Sequence, residues 1–429
     1  MSENSSKIQS PETFVIGAGP AGIGLAVAAD NLQKLDLLLR QGTVFADSGD
    51  EGGIGGGRLN YQIKSNSVGP EFVCLDEGVD GLLSVVRQGF AAQALLESGN
   101  NIVDLPLVRQ YLRELGGRLI EVVQDFPNSD VLPNTTIDSV HREDSRDGRR
   151  FSVLTASGNV WRSNNVVLAT GAEEQKIDLG KNSEKIILST DVLTGEAFED
   201  ITERLIDNRG SEIVILGSSH SAFSAAWKLL EVLPRDLLAG GIKILHRSDI
   251  KLFYNSIAEA EADGYEFDPV EDVCLPTGKV FRYSGLRGNA KQLYKDVCEG
   301  TESRVKLQKY EGSVQTDAGA SRLLDQSAVL IQAFGHKARK VPVFDKKGRE
   351  IGPLLDERGK VEVDDTARVI GLNREIIRGL FALGLGHGRK PSEATGGERS
   401  AKNNPVDSIN YFQDTIAKDI LRQILKLIS

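Results

Sequence analysis

A glycine-rich turn directly after an apolar stretch constrains this chain more than any other feature. Residues 13–29 read TFVIGAGPAGIGLAVAA, and the apolar residues before the first glycine predict a buried parallel strand. Gly17, Gly19 and Gly22 then form G-x-G-x-x-G. The first glycine permits a tight turn, the second lets a pyrophosphate approach the backbone, and the third lets the helix pack closely on the strand. The pattern therefore predicts a dinucleotide bound at the N-terminus of the following helix.

The next predicted strand carries the acidic residue that such a site requires. Residues 43–46 read TVFA and are followed by Asp47 and Ser48. A carboxylate at this place accepts hydrogen bonds from a ribose diol and repels a 2′-phosphate. We therefore predict FAD here, held by Asp47, Ser48 and the whole turn, including Pro20 and Ala21. The alternative for Asp47 is a solvated loop residue.

A second turn of the same kind has lost most of its glycines. Residues 211–216 (SEIVIL) predict a strand, and G-x-S-x-S-A follows it with Gly217, Ser219, His220 and Ser221. The serines are small enough to keep a phosphate close to the backbone, and their hydroxyls can donate to it. A serine-rich helix start is the alternative interpretation, and the spacing to the next strand decides between the two.

That spacing repeats. Residues 241–249 (GIKILHRSD) predict the following strand, and Arg247 lies thirty residues after Gly217, just as Asp47 lies thirty residues after Gly17. An arginine there attracts a 2′-phosphate, so Arg247 and its neighbour Ser248 predict NADPH rather than NADH at the second site. The alternative is a surface charge beside Asp249.

Length, charge and cysteine content limit the class of protein. A chain of 429 residues is too long for one ordinary core, and a net charge of −10 disfavours nucleic acid and anionic membrane as partners. No apolar run approaches the roughly 20 residues of a membrane span, and the polar N-terminus lacks a signal-peptide core, so we expect a cytoplasmic protein. The three cysteines form no C-x-x-C, which argues against a thiol-disulfide relay. The histidines are not spaced as metal ligands are, so no metal site is predicted.

The order of the predicted elements indicates one domain inserted into another. Strand-like residues 165–169 end in ATG at Thr170 and Gly171, and residues 327–334 end similarly at Gly335. We expect an α/β protein with two Rossmann-like dinucleotide-binding domains of the three-layer ββα kind. The FAD domain would comprise residues 1–195 and 322–429, and the NADPH domain residues 196–321. Helices are predicted over residues 82–96, 105–124 and 409–427.

These turns and their nested order resemble the two-dinucleotide-binding flavoproteins. Within them the chain is similar to the NADPH-dependent class B flavoprotein monooxygenases, in particular the lysine/ornithine N-hydroxylase branch. The resemblance is carried by the two turns and by GLGHG at residues 384–388, where Gly386 and His387 would contact the flavin. The chain lacks the F-x-G-x-x-x-H motif of flavin monooxygenases and Baeyer–Villiger enzymes, which disfavours both of those groups. Leu385 stands where many reductases of the superfamily carry an aspartate.

The resemblance implies a reaction and a set of residues. NADPH would reduce FAD, molecular oxygen would give a C4a-(hydro)peroxyflavin, and one oxygen would pass to a small substrate, with N-hydroxylation of an amine or amino acid favoured. The loop at residues 52–69 would line the flavin, with Asn66 as the catalytic candidate and Ser65 as a cofactor contact. A turn or capping role is the alternative for Asn66.

Several functions and contacts stay open at this point. The enzyme alternatives are an NADPH:acceptor reductase or oxidase, and the non-enzyme alternative is a redox-responsive flavoprotein. Tyr61 and Lys64 are further substrate candidates. In the segment 264–288, acidic residues would pair with an amine, and Arg282 and Arg287 with a carboxylate. Substrate identity and assembly, including a homo-oligomer, are undetermined by the sequence.

Overall fold

The computed structural model describes residues 10–56, 59–143, 150–390, 396–404 and 406–426. Over these residues the chain forms two mainly parallel sheets, and a glycine turn follows a central strand of each. The predicted α/β fold with two nucleotide-type sheets is confirmed.

The first sheet has six strands, of which only one edge strand is antiparallel to its neighbour. Phe14 and Val15 are both fully buried, because the N-terminal strand lies inside the sheet and both of its faces are covered. In order across the sheet, the strands are Arg368–Ile370, Ile376–Ala382, Asn165–Leu168, Thr13–Ile16, Thr43–Ala46 and Asp130–Leu132.

Two different layers cover this sheet. Val15 packs into a core shared with helices, whereas Phe14 packs into a core shared with a third, mostly antiparallel sheet, so alternate residues of one strand serve two cores. This is the predicted three-layer arrangement. In order, the third sheet contains Glu350–Gly352, Val343–Phe344, Ile137–Arg142, Phe151–Thr155 and Val160–Ser163.

The second nucleotide-type sheet is parallel throughout. Its first two strands lie outside residues 196–321, the range predicted for the inserted domain, so this sheet extends beyond both predicted boundaries. In order, its strands are Ile186–Leu188, Val329–Gln332, Ile213–Leu216, Ile242–His246 and Val305–Lys309.

The helix predictions are met unevenly. The helix Leu105–Val123 matches its prediction, with its apolar residues buried on one side. The single helix predicted over 82–96 is wrong: a 3₁₀ segment, Ser84–Gln88, ends at Gly89, whose extended backbone begins a separate helix. The third predicted helix begins at residue 409 as predicted, contains a π-helical turn, Tyr411–Ile416, and continues as Ala417–Ile424, while residue 427 lies outside the described residues.

The remaining elements connect these layers. Three two-stranded sheets pair Lys64–Val68 with Ile102–Asp104, Ala172–Glu173 with Lys337–Ala338, and Val273–Cys274 with Lys279–Val280. The other α-helices are Gly24–Asn31, Leu35–Gln41, Phe90–Glu97, Ser189–Thr194, Phe198–Asp207, His220–Val232, Ile257–Ala262, Gly288–Glu299 and Ala318–Gln326. Across the described ranges, none of the helices combines the length and the apolar character that a bilayer crossing requires.

Candidate active site

The carboxyl ends of the first sheet bring the predicted FAD residues together. The backbone N–H of Gly17 donates to the carbonyl of Ala46 over 2.7 Å, and that of Ala169 donates to the carbonyl of Ile16 over 2.8 Å. The turn after the first strand therefore lies between Asp47 and the ATG turn, at the edge where open α/β sheets bind their ligands.

The three glycines of the first turn have different surroundings. Gly17 has φ +97°, and a Cβ there would overlap the carbonyl oxygen of Ala169. A Cβ on Gly22 would overlap the carbonyl oxygen of Gly17, whereas one on Gly19 would meet no protein atom within 4 Å. The outer two glycines are thus required by the turn itself, and the middle one leaves an open face suited to a pyrophosphate.

Asp47 lies against this turn. Its Oδ2 accepts a hydrogen bond of 2.8 Å from the N–H of Ala18, and its Oδ1 accepts one of 2.8 Å from the N–H of Gly49. These two contacts fix the carboxylate beside the turn, and each oxygen keeps acceptor capacity for a ribose hydroxyl. The neighbouring Ser48 is exposed.

The ATG turn and the C-terminal glycine turn pack against each other. A Cβ on Gly386 would lie 2.5 Å from the carbonyl oxygen of Gly171, and the hydroxyl of Thr170 donates to the carbonyl of Arg339 over 2.6 Å. A Cβ on Gly384 would lie 2.8 Å from Cβ of Ala21 in the first turn. Three separate glycine turns therefore meet at one edge, and their close approach excludes larger side chains.

His387 is completely buried within this group. Its Nδ1 accepts a hydrogen bond of 2.9 Å from the N–H of Arg389, while Nε2 has no partner among the described residues. Burial lowers the pKa of His387 to about 3, and the nearby charge of Lys360 acts in the same direction. The imidazole is therefore neutral, with its proton on Nε2.

Leu385, which stands where many reductases of the superfamily carry an aspartate, is held in place through its backbone carbonyl. The ammonium of Lys360, which is buried, donates to the backbone carbonyl of Leu385. Val361 adds a backbone bond of 2.8 Å to the carbonyl of Gly386. A short segment more than twenty residues upstream thus holds the turn through its backbone, and the sequence offered no signal for this contact.

Gln413 is a second contact that sequence reasoning missed. Its Nε2 donates to the carbonyl of Pro20 over 2.7 Å, and its side chain is fully buried. The C-terminal helical segment thereby closes over the first turn. A pair separated by nearly the whole chain has no local pattern, so only the packed structure reveals it.

The glycine-rich loop after Asp47 is packed where it is described. The N–H of Gly55 donates to the carbonyl of Ala18 over 2.8 Å, and a Cβ on Gly56 would lie 2.7 Å from Pro20. Gly57, part of the same predicted stretch, lies outside the described residues. The loop therefore covers the first turn closely instead of standing away from it.

The second turn repeats the geometry of the first with serines. Gly217 has φ +147°, and a Cβ there would lie 2.5 Å from the carbonyl oxygen of Ala333. The exposed Ser219 caps the helix His220–Val232 without using its hydroxyl, and Ser221 is half-buried. Gly335 lies three residues beyond the neighbouring strand Val329–Gln332, with φ +84°.

Arg247 is exposed at the end of the next strand and forms no ion pair with a described residue. Its neighbour Asp249 pairs instead with Lys309 over 2.6 Å. The carbonyl of Ser248 lies 3.0 Å from Nδ1 of His246. The guanidinium is therefore available to a ligand, although its role in NADPH binding stays a prediction.

The strand Lys64–Val68 connects the two halves of the candidate site. Asn66 is exposed, and its carbonyl accepts a bond of 3.3 Å from Nη1 of Arg287, which belongs to the other half. Ser65 is buried, and its hydroxyl donates a hydrogen bond to the carbonyl of Ser67 and accepts one from the N–H of Val103. Asn66 thus carries an exposed amide that no described residue engages, whereas the hydroxyl of Ser65 is already engaged.

His220 lies across a small cavity from Lys64 and Ser65. Burial lowers its pKa to about 4, and the positive charge of Arg287 contributes. A small cavity between the halves is lined by Lys64, His220, Trp227 and Asn289, among others. His220 is therefore neutral at physiological pH and can take part in hydrogen bonds without adding charge.

One of the acidic substrate candidates in the segment 264–288 is engaged within its own turn. Asp268 is exposed and accepts the N–H groups of Val270 and Glu271, two residues of its own turn. Tyr61 reaches Thr190 in the second half, and burial raises its pKa. Asp268 thus stabilises a surface turn, and Tyr61 joins the two halves.

The residues at the two turns fit two dinucleotides. The first turn combines the open face of Gly19 with a carboxylate, and the second combines serine hydroxyls with an arginine that forms no ion pair with a described residue. A bare ribose suits the first arrangement and a phosphorylated one the second. The fold and the two turns together define a two-dinucleotide-binding flavoprotein.

Comparison with known proteins identifies the family. The chain is 30% identical to CMP-5′-(3-aminopropyl)phosphonate hydroxylase from Streptomyces rubellomurinus, over 96% of this chain and 97% of that protein. The chain belongs to the N-hydroxylase branch of the FAD- and NADPH-dependent class B flavoprotein monooxygenases. No family model matches it.

Solved structures share the fold. The FAD-bound cadaverine monooxygenase of desferrioxamine biosynthesis from Erwinia amylovora has a TM-score of 0.62 at 16% identity, over 97% of this chain and 94% of that one. L-lysine 6-monooxygenase from Pseudomonas syringae has a TM-score of 0.57 at 15% identity, over 98% and 100%. The predictions of family, fold, cofactors and enzyme class are confirmed, whereas the individual site residues stay predictions.

Proposed function

We propose that this enzyme N-hydroxylates the primary amine at the end of a short aliphatic chain. The observation that carries the proposal is the 30% identity, over nearly the whole of both chains, to a hydroxylase whose named substrate carries a 3-aminopropyl group. FAD supplies oxygen activation and NADPH supplies the hydride. The protein must bind the amine in the cleft, exclude water and orient the nitrogen.

Asn66 is the proposed catalytic residue. Its strand lies between the FAD half and the helix Gly288–Glu299 of the other half, and its side-chain amide makes no hydrogen bond with a described residue. An amide in this position can donate to the reacting oxygen or accept from the amine. Gly17, Asp47, Gly217 and Arg247 are the proposed cofactor contacts on either side.

The domain assignment follows the same proposal. The FAD half would contain the first and third sheets, and the NADPH half the second sheet, with boundaries moved outward to include the strands Ile186–Leu188 and Val329–Gln332. We also propose a cytoplasmic enzyme, because that compartment supplies both cofactors; fractionation of the producing cells would test this.

A substrate panel tests the function. Purified enzyme with FAD and NADPH is given 3-aminopropylphosphonate, butylamine, cadaverine, L-ornithine and L-lysine, and products are examined for a gain of one oxygen on nitrogen. We expect amine-dependent hydroxylamine from at least one short-chain amine. NADPH oxidation that yields only hydrogen peroxide with every amine would instead support the oxidase alternative.

Asn66→Ala sharpens this test. Loss of one positioned hydrogen-bonding group at a reacting centre costs about 10²–10³-fold in rate. We expect a loss of this size in hydroxylamine formation while bound FAD is retained. Asn101→Ala lies on the turn before the neighbouring strand and removes a side-chain amide whose one hydrogen bond with a described residue goes to Ser98. This variant should leave product formation unchanged.

A further inference from the structure

Arg287 is a half-buried cation that forms no ion pair with a described residue. Its guanidinium lies 3.9 Å from the ring centre of Phe253, and its N–H groups donate to the backbone carbonyls of Asn66, over 3.3 Å, and Arg282. No carboxylate lies within ion-pair distance among the described residues. Burial lowers the pKa of Arg287, as expected for a charge removed from water.

Two described carboxylates, Glu398 and Glu71, act on Arg287 from beyond ion-pair distance. Glu398 is almost completely buried, and its oxygens accept from the N–H groups of Tyr283 and Ser284 and from the hydroxyl of Ser284, all within 3.1 Å. Glu71 is exposed and acts on Arg287 only at longer range. Charges withdrawn from water in proteins are normally paired, so the guanidinium of Arg287 is suited to bind an anion from outside the chain.

The surroundings favour such an anion. Arg282 lies in the same stretch of chain, over the ring of Tyr283, and Lys64 is exposed on the facing strand. A guanidinium with unused N–H groups binds phosphate and phosphonate oxygens in a bidentate manner. Because Arg287 contacts the backbone of Asn66, an anion bound here would lie beside the proposed reacting centre.

We infer that Arg287 binds the phosphonate or phosphate group of the amine substrate and thereby makes the enzyme selective for amines with an anionic tail. This inference rests on the proposed function and narrows it to amines that carry a phosphorus oxyanion. NADPH is the other source of phosphate near the cleft. Its 2′-phosphate is assigned to Arg247, which lies on a different strand end and is exposed.

Calorimetric titration of the FAD-loaded enzyme tests the inference without turnover. The probes are 3-aminopropylphosphonate and butylamine, which share a primary amine and differ in the charged tail. We expect the wild-type enzyme to bind the phosphonate at least tenfold more tightly, with a preference that weakens as salt is added. Arg287→Gln should reduce the preference to less than twofold, and Arg287→Lys should retain part of it.

Three controls separate the outcomes. Arg209→Gln removes an exposed arginine that forms no ion pair or side-chain hydrogen bond with a described residue, and it should behave as wild type. Unchanged circular dichroism and FAD content establish folding. In turnover, Arg287→Gln should raise KM for 3-aminopropylphosphonate at least tenfold and leave the KM for NADPH unchanged. A tenfold rise in KM for NADPH, with amine selectivity unchanged, would assign the site to the cofactor and overturn the inference.

Failure of the inference differs from failure of the proposed function. Equal binding of both amines by the wild-type enzyme, or a preference that survives in Arg287→Gln, would refute the anion site even if hydroxylamine forms. Selective binding of the phosphonate without any hydroxylamine from the panel would leave the anion site standing and reject the N-hydroxylase function.

Discussion

The carboxylate of Asp47 accepts the backbone N–H of Ala18 over 2.8 Å and so joins the end of one strand to the glycine turn that follows its neighbour. The two residues are 29 positions apart in the chain. The bond fixes the distance between the part of the site suited to phosphate and the part suited to ribose. The first prediction tests this contact.

Asp47→Asn should weaken FAD binding about tenfold or more. A hydrogen bond to a charged group contributes about 1.5–3 kcal/mol, and the asparagine keeps the shape but loses the charge. The dissociation constant can be measured from the flavin fluorescence that appears on dilution. Asp50→Asn, which removes an exposed charge nearby, serves as the control. Equal FAD affinity in Asp47→Asn and wild type would contradict the assignment.

Gly19→Ala should impair FAD binding, whereas Gly22→Ala should impair folding. A Cβ at Gly22 would overlap the carbonyl of Gly17, so we expect the apoprotein to lose about 1–3 kcal/mol of unfolding free energy. A Cβ at Gly19 meets no protein atom within 4 Å, so the apoprotein should keep its stability while FAD binding is lost. Urea unfolding of both apoproteins, with FAD content after reconstitution, separates the two. Full FAD binding by Gly19→Ala would show that the pyrophosphate lies elsewhere.

Arg247→Gln should reduce the preference for NADPH over NADH. Arg247 forms no ion pair with a described residue, so its removal should break no salt bridge among those residues. The substitution should therefore weaken only the contact with the 2′-phosphate. We expect KM for NADPH to rise about tenfold to a hundredfold, since a charged hydrogen bond contributes about 1.5–3 kcal/mol, and KM for NADH to stay unchanged.

Lys309→Gln is the matched control for Arg247, because it removes a positive charge from the adjacent strand, where the lysine already pairs with Asp249. Its KM for NADPH should stay within twofold of wild type. If both variants lose NADPH affinity equally, the preference reflects general surface charge rather than a specific contact.

His387 should make the fold sensitive to acid. Its pKa in the folded state, about 3, lies below the ordinary 6.5, so protons bind preferentially to the unfolded chain. Its stabilising contribution is complete above about pH 6.5 and is lost as pH falls toward 3, by about 1.4 kcal/mol per pH unit. His387→Asn cannot titrate and leaves an acceptor for the N–H of Arg389, so its unfolding free energy should depend less steeply on pH.

Chemical denaturation between pH 4 and 7 measures this slope. His141→Asn is the control, because that ring lies on the third sheet, stacked on Phe344 and away from the glycine turns. Its profile should run parallel to that of the wild type. A profile for His387→Asn as steep as the wild-type profile would show that other groups account for the acid sensitivity.

Local patterns were sufficient for the nucleotide turns. Gly17 is required by its positive φ and by its close approach to Ala169 on the paired strand, and Gly22 by its close approach to Gly17. A single stretch of sequence is therefore enough to predict the turn. The placing of Asp47 follows from the rule that parallel strands end at the same edge. The helix predicted over residues 82–96 failed at Gly89, because apolar spacing does not reveal where the backbone leaves the helical conformation.

Partners distant in the chain were decided only by the tertiary structure. The contacts of Gln413 with Pro20 and of Arg287 with Asn66 join residues hundreds of positions apart, and no periodicity encodes them. The second sheet likewise recruits Ile186–Leu188, because hydrogen-bond pairing across a sheet is set by the neighbouring strand and not by proximity in sequence. The amino-acid sequence by itself thus determined the two dinucleotide folds and the character of their ligands. Tertiary packing decided which side chains come together where the two folds meet. The burial and the charge around each of those side chains depend on segments that are distant in the chain.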